Sequence, residues 1–121
     1  MTTLAERLQA EDAERNAADR RLLKWLRREV NRDLRRWRPG AGAGAAGADA
    51  LERVADCKAK LALLDWAQRW QRVRDPDYYP SDAIARARLN DDLVMIMAAV
   101  RFIAAAYRGR DGWRQEWERE P

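Results

Sequence analysis

The stretch RRLLKWLRREVNRDLRRWR, residues 20–38, decides the fold. Arg20, Lys24, Arg28, Arg32 and Arg36 recur every fourth residue. Leu22, Leu26, Val30 and Leu34 do the same, with Trp37 closing their row. At about 3.6 residues per turn the two rows lie about 200° apart round a helix axis. One face is therefore built to bury, and the opposite face carries dense positive charge. Thr3 with Glu6 matches a capping box, which starts a helix at Leu4. Residues 9–21 are Ala-rich and charged, with no large apolar side chain. The spacing thus predicts a helix over 4–38 with a weak middle, or one broken near Asn16. Pro39 and Gly40 end it.

Beyond this helix, PGAGAGAAGA, residues 39–48, reads as a flexible low-complexity linker. Asp49 with Glu52 forms a second capping box. The helix that follows, over 50–74, carries Leu51, Val54, Leu61, Leu64, Trp66, Trp70 and Val73. DPDYYPS, residues 75–81, breaks it, and Ser81 is the expected N-cap of the next segment. A third helix over 82–108 carries Leu89, Leu93, Ile96, Val100, Ile103 and Tyr107, spaced alternately four and three apart. That is a buried or coiled-coil-like seam, which Met95, Ala99 and Phe102 are expected to widen. Asp91 and Asp92 are candidates for an internal cap or kink, and Gly109 for the C-cap. Trp113 and Trp117 follow in a short docking arm. No period-two strand pattern appears. The expected fold is all-α, a small helical bundle in three parts. Residues 1–38 are an amphipathic basic helix, 39–48 a linker, and 49–121 a helical hairpin with a C-terminal arm. The linker leaves open whether the basic helix packs on the hairpin or stands apart.

Composition narrows function mainly by exclusion. The chain has 121 residues, 47% hydrophobic and 36% charged, with a net charge of +4. Of the hydrophobic residues 23 are Ala, so the core is modest. Ten basic residues against Asp19, Glu29 and Asp33 give residues 15–38 a net of +7, which leaves about −3 for the rest. Such a patch suits nucleic acid, an anionic membrane surface or an acidic protein. Arg outnumbers Lys 21 to 3, a bias that a GC-rich coding sequence also produces. There is no histidine, which removes Ser-His-Asp and Cys-His catalysis, His general bases and His-ligated metals. The lone Cys57 rules out an intrachain disulfide and a cysteine-rich zinc site, and it reads as a small buried hydrophobe.

Carboxylates remain available for Mg²⁺. The candidate pairs are Glu11 with Glu14, Asp49 with Glu52, and Asp91 with Asp92, each with a plainer reading as a cap or solvated face. The glycines at 40–47 lack the Lys-Ser/Thr of a phosphate loop. No catalytic residue, metal or cofactor is expected. Residues 1–20 do not form a signal peptide, and Leu93–Ala106 is too short and interrupted by Arg101 to span a bilayer. The expected setting is cytoplasmic.

The sequence thus points to a non-enzymatic interaction protein. Its partner would be an acidic protein or a second copy of the chain, bound through Trp25, Arg28, Arg32, Arg36 and Trp37. The alternative is sequence-independent nucleic-acid binding, with Arg20, Lys24, Arg27, Arg28, Arg32, Arg35 and Arg36 on phosphates. A helix-turn-helix does not fit, because the segment after residue 38 is too long and glycine-rich for the tight turn. Trp25 and Trp37 point to different sides of the helix and so make no single stacking platform. Trp66 and Trp70 share one helical face, as do Trp113 and Trp117, and the tail is expected to cover the core with its indoles, the alternative being an exposed aromatic patch for a partner.

YRGRDGWRQEW, residues 107–117, resembles the closing motif of an actinobacterial and actinophage domain of unknown function. That motif runs Y-A-x-H-P-x-Y-R-x-E-W. Tyr107, Arg114, Glu116 and Trp117 match, Trp113 stands for an aromatic, and Arg110 and Asp111 replace the His-Pro pair. ALERVADCKAKLALLD, residues 50–65, and LAERLQAEDAE, residues 4–14, resemble two of its helices. The resemblance implies an origin, and it brings no activity.

Overall fold

A computed structural model describes residues 3–37, 48–72 and 83–118. Helix α1 runs Leu4–Trp37, α2 Ala48–Arg72 and α3 Ala83–Ala105, and a 3₁₀ turn spans Gln115–Glu118. The described residues contain no strand.

Helix α1 is continuous through Asn16, so its weak middle does not break. Ala, Glu, Arg and Leu hold helical propensity high across the region that lacks apolar residues. Thr3 caps it, its hydroxyl accepting from the Glu6 N–H at 3.1 Å. Helix α2 opens at Ala48, which places Asp49 inside the first turn rather than at the N-cap. The break at 75–81, Ser81, Val73 and the rest of the linker lie outside the described residues.

Helix α1 packs on the hairpin and does not stand apart. One apolar core joins all the elements. Leu22, Leu23, Leu26, Val30 and Leu34 enter from α1, Cys57, Leu64 and Ala67 from α2, and Leu93, Ile96, Met97, Val100 and Ala104 from α3. The α1–α2 interface is the most extensive of the bundle. Residues 3–15, by contrast, are all exposed. At about 1.5 Å per residue they carry α1 about 20 Å past the core.

Helix α3 corrects one expectation. Met95 and Phe102 do not widen the core seam but are 72% and 85% exposed, and Ala99 is exposed as well. Met97 and Ala104 occupy the buried flank instead. Both faces of α3 are apolar, and only the partner helices choose between them. Helix α3 runs through Asp91 and Asp92 without interruption. Its end differs too. Residues 106–108 donate to the carbonyls three residues back, at 3.1, 2.8 and 3.3 Å, so the chain tightens into 3₁₀ turns after Ala105. Gly109 is therefore no left-handed cap, and the positive φ falls at Gly112, at 92°.

Candidate functional site

Residues 107–118 return across α1 and build the most distinctive part of the surface. Trp113 and Trp117 settle on Trp25, with ring centroids 5.7 and 5.2 Å from it and 5.4 Å from each other. The Trp25 indole N–H donates to the Asp111 carbonyl at 3.2 Å. Gly112 lies so close that a Cβ there would sit 2.5 Å from that nitrogen. Trp25 is thus buried and removed from the accessible partner face, because the arm closes over it. The buried N–H groups of Trp113 and Trp117 have no protein acceptor. Trp70 packs at the core edge, whereas Trp66 stays 46% exposed and meets Trp70 edge-on at 6.4 Å.

The carboxylates that would neutralise the basic helix are turned inward. Asp19 is buried and accepts from Arg101 of α3 at 2.7 Å and from Gln71 at 3.4 Å. Asp33 takes both guanidinium nitrogens of Arg110, at 2.9 and 2.8 Å. Glu29, also buried, lies 3.6 Å from Arg110 and 3.4 Å from Arg32. The Arg110 guanidinium also covers the Tyr107 ring at 4.4 Å. Hydrogen bonding to Asp33 outweighs partial burial and raises its pKa further.

Beside this network, Lys60 donates to the Tyr107 hydroxyl at 3.2 Å and pairs with Asp56 at 2.8 Å. Burial works against its charge, but Asp56 and Tyr107 prevail and hold its pKa above the ordinary value. Burial raises the Tyr107 pKa. It also raises that of the buried Cys57 thiol, with Asp33 adding to the effect, so Cys57 is a poor nucleophile.

The outer face of α1 keeps its charge. Arg20, Lys24, Arg28 and Arg35 are exposed and have no ion pair among the described residues. Arg32 is 71% exposed, and Arg36 is exposed with its guanidinium 5.7 Å from the Trp37 ring. Trp37 is half-buried, with Arg53 of α2 at 4.3 Å from the ring. Arg27 leaves the phosphate-contacting set. It reaches across to Asp65 and Gln68 of α2 and so fastens the bundle.

Where this face meets the arm there is a cleft of about 300 Å³, lined by Arg21, Lys24, Trp25, Arg28, Gly112, Arg114 and Trp117. Arg21 bonds Glu116 at 3.1 and 3.3 Å, and Arg114 lies 3.9 Å from the same carboxylate. Arg21 and Arg114 thus share one carboxylate, while Lys24 and Arg28 line the same indole-floored cleft without one. A second cleft of about 420 Å³ sits between Arg20 and Arg72. Neither cleft was legible in the sequence, since both depend on contacts between distant segments. Glu11, Glu14, Asp49, Glu52, Asp91 and Asp92 are all exposed. No metal-binding group of three or more His, Cys, Asp or Glu occurs among the described residues. No described helix is long and apolar enough to cross a membrane.

In comparisons with protein-family models, with curated proteins and with solved structures, nothing matches this chain.

Proposed function

We propose that the protein is a non-enzymatic interaction module that docks an acidic helical segment of a partner protein along the outer face of α1. One observation carries this reading. Asp19, Glu29 and Asp33 are held inward by Arg101 and Arg110, so the row Arg20, Lys24, Arg28, Arg32, Arg36 faces solvent almost uncompensated. Successive members rise about 6 Å along the axis. Each step also turns the row about 40° round the axis, so an acidic helix with Glu or Asp every fourth residue crosses it and meets two or three of these cations at a time. The cleft at Lys24 and Arg28 would seat one acidic side chain against the indole floor.

Fluorescence anisotropy tests this with a labelled acidic helical peptide and, in parallel, a random-sequence DNA duplex. Peptide binding that weakens at least tenfold in Arg20→Glu/Lys24→Glu/Arg28→Glu supports the reading. Duplex binding that falls about a thousandfold between about 50 and 200 mM salt would replace it with phosphate recognition. Peptide affinity unchanged by the triple reversal would remove α1 as the site.

A further inference from the structure

Helix α3 carries a second apolar seam on the face opposite the core. Arg88, Met95 and Phe102 stand seven residues apart, as do Asp91, Ala98 and Ala105. Together they repeat the heptad spacing of a coiled coil. Met95 and Phe102 are 72% and 85% exposed, with Val94 at 51% beside them. Ala98 is half-buried, and Ala99, Ala105 and Ala106 are exposed.

We propose that this outer seam is a self-association surface on which a second copy of the chain packs antiparallel. The pattern is complementary to itself. With a twofold axis at the level of residue 100, Phe102 of each copy meets Ala98 of the other, and Met95 meets Ala105. Each large side chain then lies over a small one, which lets the two backbones come close. Parallel packing in register would stack Arg88 on Arg88 and Asp91 on Asp91, which like-charge repulsion opposes. Opposed helix dipoles favour the antiparallel choice as well. In this register α3 overlaps its copy over residues 95–105, so the contact is smaller than the about 1,000 Å² of a stable specific interface and suits a weak, concentration-dependent dimer. A twofold contact of this kind closes on itself and does not propagate into fibres. It lies on a different helix from the cationic face and leaves that face open in both copies.

Sedimentation equilibrium of the full chain, up to about 1 mM, tests the proposal. The expected species has twice the 14.0 kDa chain mass. Phe102→Glu and, separately, Met95→Lys are expected to weaken association at least tenfold with unchanged far-UV circular dichroism, since both side chains are exposed. A monomer throughout, or a dimer that neither variant weakens, would overturn the proposal. Orientation is read from spin labels at Ala87→Cys, a position exposed on α3, whereas the native Cys57 is buried. Antiparallel packing predicts a separation of about 40 Å, from about 1.5 Å of rise per residue. A separation near the interhelical distance, about 10–15 Å, would overturn the antiparallel arrangement.

Discussion

Residues 4–15 and 16–37 belong to one unbroken helix, yet they keep their shape for different reasons. The second part buries Leu22, Leu23, Trp25, Leu26, Val30 and Leu34 and draws its charged neighbours into a network with α3 and the arm. The first part buries nothing. It continues the helix by propensity, a Thr3 cap and the template of the turns that follow. Tertiary contacts therefore set the strength of a helix, while local residues suffice to set its course.

Breaking the packed part should have the largest effect. Trp25→Ala removes the indole that holds Trp113 and Trp117, and a loss of about 3–5 kcal/mol is expected from denaturant unfolding. Gly112→Ala attacks the same junction from the backbone. The positive φ and the close approach to Trp25 together should cost about 1–3 kcal/mol, read as a lower Tm. An outcome within about 0.5 kcal/mol of wild type would mean that the arm is not docked in solution.

Alkali provides a gentler test. Cys57, Tyr107 and Lys60 all have raised pKa values, so the folded state binds protons more tightly than the unfolded chain. Their contribution is complete below about pH 9 and is lost as pH rises past the ordinary values of 9.0, 10.0 and 10.5. Tm should fall steadily from about pH 9 to 11, and Tyr107→Phe should flatten part of that slope. The smallest effect belongs to the projecting part. Leu4→Ser with Leu8→Ser, at positions 70% and 52% exposed, should shift global stability by less than about 0.5 kcal/mol. Hydrogen exchange in residues 4–15 should be fast in both proteins, and slow exchange there would show that something covers this end.

The same contrast explains what was legible beforehand. The buried row Leu22, Leu26, Val30, Leu34 and the Thr3 cap are local patterns, and a 3.6-residue period exposes them directly. The all-α architecture follows from these and from the inner seam of α3. The choice between the two faces of α3 is not local, because Met95 and Phe102 are spaced as well as Met97 and Ala104. Nor is the fate of Trp25, Arg27 or Arg110. Trp25 meets an arm 86 residues away, Arg27 an aspartate 38 residues on, and Arg110 an aspartate 77 residues back. A single helix pattern separates outward from inward charge only roughly. The sorting of Asp19, Glu29 and Asp33 to the inside, which makes the cationic face, becomes visible only once the arm and α3 are in place.

The gathering of Trp25, Trp113 and Trp117 into one cluster also gives the molecule a built-in optical signal. Three indoles with centroids 5.2 to 5.7 Å apart couple their electronic transitions. Their near-ultraviolet dichroism depends on the arm being seated. Trp66 and Trp70 form a separate pair on α2, and Trp37 sits between two arginines. Six chromophores thus fall into three groups, each reporting on a different part of the bundle. Docking of the arm can be followed without attaching a label, and a ligand entering the cleft above the cluster would change the light it absorbs.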